Sequence, residues 1–474
     1  MKNKPVLTII IIVLSACVLI SIALIVGIFV LRIPINQPLV PAASPTQSIT
    51  LETQTSQSET PGGTSVIPTP GATLPADIAS AMDKIQQQVI SYRGLQLKGP
   101  FNRELLTSSQ LKENVINEFF ADYTAQDAQR DETTLAAFGL LAPNFDLRQF
   151  YIKLYSEQVA GYYDDKTKTM YVISNESFGG PEKMTYSHEF THTLQDQNYD
   201  IENGLKVNTD NCKVNTEYCA AVTALMEGDA TLSETYWVTF DSTSTDKQQI
   251  QTFYQNLTTP VYDSAPAFMK QDFVFPYVQG LAFVQSLYTA NGWNGVDEAY
   301  KNPPVSTEQI LHPEKYPSDT PVTVDLPDFT STLGSGWSEI DRNVMGEWYI
   351  SLILGYGIQP SYRLDTTTAN AAAAGWGGDT YLFYTDQNNS NIAMVWESTW
   401  DTSNDATEFW NASLKYGSQR WGNAQSSTST SSTWQTSDVG LMTMRISGSN
   451  VLWLMTPSAN VQSTILSQIG TFGS

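Results

Sequence analysis

Two of the three histidines in this 474-residue chain stand four apart, in the stretch YSHEFTHTLQDQ from Tyr186 to Gln197. On an α-helix, positions i and i+4 share a face one turn apart, so His188 and His192 offer two nitrogens to one metal ion. Glu189 sits beside the first of them, where a carboxylate takes a proton from water at the metal's open position. Two polar residues on a surface helix would give the same letters. With so few histidines, however, H-E-x-x-H arises by chance in roughly one such sequence in a thousand. The motif therefore demands a helix through Met184, His188, Thr191 and Gln195, and a third ligand from elsewhere in the chain.

Ahead of the motif, VAGYYDDKTKTMYVIS holds two β-prone runs around Asp164-Asp165-Lys166-Thr167 and reads as a hairpin. A strand running before a metal helix supplies an edge to which an extended peptide adds as a further strand. Over roughly residues 150–240 the chain resembles the zincin metallopeptidases, whose fold sets an edge strand above an H-E-x-x-H helix. The resemblance implies one catalytic Zn2+ per chain, with three protein ligands and an open fourth position. The metzincin pattern H-E-x-x-H-x-x-G-x-x-H would put its glycine at Gln195 and its third histidine at Asn198, and neither matches. The gluzincin-like arrangement, with a Glu from a later helix, is met by Glu227 in TALMEGDATLSE. A carboxylate on such an Ala/Leu/Met-rich helix is costly to bury unless it coordinates something. Thr223, Glu227, Thr231 and Glu234 share one helix face. Glu234 and Asp229 are the rival acids, with Asp229 directed to the other side.

Gln195 and Asp196 are the local groups able to hold an imidazole in one tautomer, although solvated helix positions would carry the same residues. His312, in PPVSTEQILHPEKY, follows an S-x-x-Q capping box at Ser306 and Gln309 and precedes Pro313, which stops the helix. It is a further ligand possibility, and at a helix C-terminus its protonated form is favoured. By the gluzincin resemblance it would stabilise an oxyanion, with Tyr316 as the fallback. Its plain alternative is a helix-end cap. Cys212 and Cys219 would close a loop of eight residues as a disulfide, worth about 2.5 kcal/mol in loop entropy, just before the Glu227 helix. Six intervening residues is not a usual spacing for paired metal ligands.

The N-terminus carries an uncharged apolar run from Val6 to Leu31, long enough as a helix, at roughly 39 Å, to cross a bilayer. Residues 1–32 thus read as a single-pass transmembrane anchor in the cell membrane. Lys2 and Lys4 place the N-terminus in the cytoplasm and the remainder outside. LSAC, Leu14 to Cys17, resembles a lipoprotein cleavage box, but the apolar residues continue past Cys17, and the uncleaved anchor is preferred. Residues 33–76, rich in Pro, Ser, Thr and Gly, read as a disordered stalk. The net charge of −23 comes from a shortage of Lys and Arg, 25 against 48 Asp and Glu, and disfavours nucleic-acid partners.

Helical spacing begins at ADIASAMDKIQQQVISYR and continues in LKENVINEFFADYTAQDAQ, LRQFYIKLYSEQV, CAAVTALMEGDATLSETYW and PYVQGLAFVQSLYTANG. Past about residue 335, SEIDRNVMGEWYISLILG reads as a helix, TYLFYTD, IAMVWEST, VGLMTMRIS and NVLWLMT as strands, and DATEFWNASLKY and VQSTILSQIG as helices. The expected fold is α+β: a mainly helical zincin-like core with an edge hairpin over 77–335, then a smaller mixed α+β unit over 336–474. The expected function is membrane-anchored extracellular zinc metallopeptidase, acting on peptide or protein substrates. The rival is a surface-anchored binding protein whose zinc site is structural or vestigial.

Overall fold

The computed structural model describes residues 16–18 and 74–472, apart from 121–122, 175–176, 389–390 and 437–438. It is an α+β structure, helical through its first two thirds and built on a large antiparallel sheet in its last third. The stalk expected over 33–76 lies, up to residue 73, outside the described residues.

The first sheet has four strands in the order β1 (Ala16–Val18), β3 (Val159–Asp164), β4 (Thr169–Ile173), β2 (Asn102–Leu106). The pair β3–β4 is the expected hairpin, its turn held by Asp164 Oδ1, which accepts from the backbone N–H of Lys166 at 2.9 Å. Helix α1 (Ala76–Arg93) buries Met82, Ile85 and Val89, as its spacing predicts. The second expected helix is two. α2 (Ser108–Asn114) runs on through one wider turn to Phe119, and α3 (Ala125–Ala137) starts afresh at Thr124. There Thr124 Oγ1 accepts from Asp127 N while Asp127 Oδ2 accepts from Thr124 N, a reciprocal cap that begins a helix rather than continuing one. α4 (Leu147–Gln158) leads directly into β3.

The central layer is α5 (Gly180–Tyr199), α6 (Thr216–Tyr236), α7 (Ser244–Asn256) and α8 (Ala267–Lys301), the last broken at Asn291 and Gly292. α6 and α8 touch backbone to backbone. A Cβ at Gly228 would lie 2.2 Å from Gly280 O, and one at Gly280 would lie 2.0 Å from Ala224 O. This explains why a glycine follows Glu227. Gly280→Ala is expected to cost about 3 kcal/mol in chemical denaturation, the upper end for overpacking, because backbone rather than a side chain must yield. A disulfide joins Cys212, just before α6, to Cys219 in the first turn of α6, with Cα atoms 5.6 Å apart. Replacing both by Ala should lower stability by about 2.5 kcal/mol, measured by urea unfolding under non-reducing conditions.

After α9 (Thr307–Leu311) the chain enters a seven-stranded antiparallel sheet, ordered β5 (Trp337–Asn343), β6 (Trp376–Asp386), β7 (Ile392–Trp400), β11 (Asn450–Thr456), β10 (Leu441–Ser447), β9 (Ser431–Gln435), β8 (Ser426–Ser427). Helices α10 (Gly346–Gly355), α11 (Thr366–Ala373), α12 (Ser403–Trp421) and α13 (Ala459–Leu466) complete it. The stretch expected as one helix from Ser338 is therefore a strand followed by a helix. Its first half pairs with β6, and Asp379 on β6 accepts from Met345 N and Gly346 N at 2.8 and 2.9 Å, starting α10 only there. The boundary expected near 335 crosses a continuous core. Phe138 packs edge-on against Tyr381, Phe383 and Trp396 at 5.5–5.9 Å, and Tyr416 Oη donates to Phe138 O at 2.9 Å.

The localisation expected from the apolar N-terminus is not supported. No helix among the described residues is long and apolar enough to cross a membrane. The run from Val6 to Leu31 lies outside the described residues except at its centre, where Ala16–Val18 is a strand paired antiparallel with β3, Cys17 opposite Gly161. A segment whose backbone hydrogen bonds go to a sheet edge is not part of a continuous spanning helix. The single-pass anchor, the cytoplasmic N-terminus and the lipid attachment at Cys17 are withdrawn with it.

Candidate metal centre

α5 opens at Gly179, whose N–H is held by Glu182 Oε2 at 2.9 Å, with Pro181 in its first turn. Glu182 is thus the N3 partner of a cap that sets where the helix begins. His188 and His192 then follow on one face, fully buried, with ring centroids 4.9 Å apart. From α6, Glu227 Oε2 comes to 3.1 Å from His188 Nε2 and 3.4 Å from His192 Nε2. The ligand atoms of these three residues lie within 4.8 Å of one another. Donors about 2.1 Å from a tetrahedral zinc stand about 3.4 Å apart, which is the spacing seen.

The other imidazole nitrogens are held by acceptors. His188 Nδ1 lies 3.1 Å from Glu234 Oε2, and His192 Nδ1 lies 2.8 Å from Gln195 Oε1. The Gln195 amide is oriented by donating its Nε2 to Met226 O and Asp229 Oδ2, both at 3.0 Å, so its oxygen faces the ring. Each Nδ1 therefore carries a proton, and each Nε2 is directed at Glu227. Two imidazole nitrogens facing a buried carboxylate call for positive charge between them, supplied by a proton on an Nε2 or by a metal ion. His192 Nε2 and Glu227 Oε1 are accordingly buried without a hydrogen-bond partner. Burial opposes a charged ring at His188, yet hydrogen bonds and charge from Glu227 and Glu234 outweigh it and push its pKa up to about 10. Glu227, which burial alone would push up, is held below the usual carboxylate range by the two imidazoles. The pocket demands positive charge, and a two-nitrogen, one-oxygen donor set with both outer nitrogens anchored fits Zn2+.

Glu189 is buried next to these residues, beneath strand β3. A Cβ at Gly161 would lie 3.3 Å from Glu189 Cγ and 2.6 Å from the Thr185 methyl, so only glycine lets the strand cross this closely. The edge of β3 here already accepts β1 as an antiparallel neighbour.

Three residues that the sequence offers to the site find other partners. Asp196 accepts from Tyr163 Oη at 2.9 Å and Lys168 Nζ at 2.7 Å, tying α5 to the hairpin instead of to His192. His312 follows the Ser306-capped helix α9 as expected, but its Nε2 lies 2.9 Å from Glu347 Oε1 on α10, and it is not in the group around Glu227. Tyr316 donates to Asn302 O at 2.7 Å. The rival acids have roles of their own. Glu234 holds His188, and Asp229 anchors Gln195 while pairing through both oxygens with the buried guanidinium of Arg93, at 2.7 and 3.1 Å. Tyr300 Oη adds a bond to Asp229 at 2.9 Å. Arg93 carries no local signal, being the last residue of an amphipathic helix 136 positions from its partner. A second acidic group, Glu308, Asp319 and Asp401, is already filled by Lys315 Nζ at 2.6, 3.0 and 2.6 Å.

A family model described as Domain of unknown function (DUF8575) matches residues 332–466, the C-terminal sheet and its helices. No curated protein and no solved structure matches the chain.

Proposed function

We propose that this chain is a zinc-dependent peptidase of gluzincin-like type, with His188, His192 and Glu227 as ligands and Glu189 as the general base. The observation that carries the reading is the approach of two Nε2 atoms and one carboxylate to within 4.8 Å of one another, with His192 Nε2 and Glu227 Oε1 left unpartnered in the protein interior. Zinc, when bound, supplies Lewis acidity, polarising a peptide carbonyl and acidifying water. Gln195 and Glu234 keep both imidazoles in the tautomer that presents Nε2. Glu189 takes the proton of the attacking water and returns it to the leaving amine. The β3 edge above Glu189 takes an extended segment as an antiparallel strand, as it takes β1, so a substrate aligned there would replace β1.

The competing reading, a binding protein with a structural zinc, requires four protein ligands. Among the described residues the group contains three. X-ray absorption on the zinc-loaded chain decides between them. Two imidazoles, one carboxylate and a water oxygen support the peptidase, whereas a fourth protein ligand contradicts it.

A further inference from the structure

Ser426 to Thr433 are eight consecutive hydroxyl residues, a composition that usually stays solvated in a linker. Here they fold as the hairpin β8–β9 beside β10. Part of the run holds that fold together. Ser427 bonds Ser432 at 2.8 Å, Thr433 bonds Thr443 on β10 at 2.9 Å, and Thr428 Oγ1 accepts from Ser431 N at 3.0 Å in the turn. The hydroxyls of Ser429, Thr430 and Ser431 have no hydrogen-bond partner among the described residues, nor has that of Ser447 at the neighbouring β10–β11 turn. These four residues line one open groove of about 710 Å³, together with Arg445 on β10 and Trp410 of α12.

Arg445 stands directly opposite Ser431 in the β9–β10 register, and Ser447, two positions on, shares its face of the sheet. Arg93, Arg103, Arg130 and Arg342 each pair with a carboxylate. Arg445 gives one N–H to Phe472 O, has no partner at Nε, and forms no ion pair among the described residues. In a chain with 48 acidic against 25 basic residues, a guanidinium left unpaired is an open place for an anion. No carboxylate lines the groove to repel one. Hydroxyls both donate and accept, so four of them suit a ligand rich in hydroxyls as well as one bearing a carboxylate. The volume is that of a small-molecule site, far beyond the ~30 Å³ share of one water, and a bare ion would leave it largely empty.

We propose that this groove binds a carboxylate-bearing saccharide, with Arg445 on its carboxylate and the four protein hydroxyls meeting those of the sugar. Binding here requires neither zinc nor peptide cleavage. The test is isothermal titration of the full chain with glucuronate, glucose and inorganic phosphate, repeated for Arg445→Gln. Glucuronate is expected to bind saturably and more tightly than phosphate. Glucose should bind about 10–100-fold more weakly, and Arg445→Gln should weaken glucuronate by the same factor, the worth of a charge-assisted bond. Absence of saturable glucuronate binding, equal binding of glucose, phosphate binding as tightly as glucuronate or more so, or undiminished affinity in Arg445→Gln overturns the site. If Arg445→Gln does not fold, Ser429→Glu at an exposed turn position sets a carboxylate against that of the ligand. It should weaken glucuronate at least about tenfold, and unchanged affinity there counts against the site.

Discussion

Glu189→Gln is expected to lower kcat/KM for peptide cleavage by about 10³-fold while zinc content stays at one per chain. The size follows from the role, since a positioned general base is worth about 10²–10⁴-fold. Glutamine keeps the shape of the side chain beneath Gly161 but cannot take a proton. It should not disturb the ligands, because the outer nitrogens of His188 and His192 are held by Glu234 and Gln195. The variant therefore separates chemistry from metal binding. Parallel measurements of zinc by mass spectrometry and cleavage of a quenched peptide give the result. Full activity in Glu189→Gln removes the general base from the mechanism, and lost zinc would make Glu189 a ligand.

Asp229→Asn should be the most damaging change outside the ligands. Asp229 and Arg93 are both fully excluded from solvent and joined by two bonds. Removing one charge of such a pair typically costs about 3–5 kcal/mol, because the other is left buried and uncompensated. Asp297, which also binds Arg93 at 2.7 Å, moves the expectation to the lower end, about 3 kcal/mol in chemical denaturation. Asp229 also fixes Gln195, so zinc affinity should fall about 10–100-fold. The double variant Arg93→Met with Asp229→Leu distinguishes the two roles. It should recover much of the stability, since no charge is stranded, yet keep the weakened zinc affinity. Recovery of both would reduce Asp229 to a structural residue.

What can be read from the sequence divides by the range of the interaction. H-E-x-x-H is legible because its geometry is local, and i, i+4 spacing puts two rings on one face whatever surrounds them. Glu227 is legible through cost, a carboxylate on an apolar helix needing a reason to be there. The choice between Gln195 and Asp196 is not legible. Both lie within reach of His192, and the hairpin contacts of Tyr163 and Lys168 decide that Asp196 turns away. His312 shows the same limit. Its cap and helix end are local and present, but its partner Glu347 arrives 35 residues later. The strand Trp337–Asn343 looks helical because its continuation, Gly346–Gly355, is apolar on several sides, and the break depends on Asp379 from another strand. The apolar N-terminal run satisfies a length criterion for a spanning helix, yet Ala16–Val18 within it pairs with a sheet edge. That pairing depends on β3, whose place no local pattern reveals.

The central claim is that one metal ion, held by His188, His192 and Glu227, makes this chain a peptidase. Its most direct test is to strip the full chain with a chelator and add zinc back in steps while following cleavage of a randomised peptide library. Activity absent without metal, rising linearly and breaking at one zinc per chain, is the predicted result. Zinc that binds at one per chain without producing any cleavage, or cleavage that survives complete removal of metal, would contradict it.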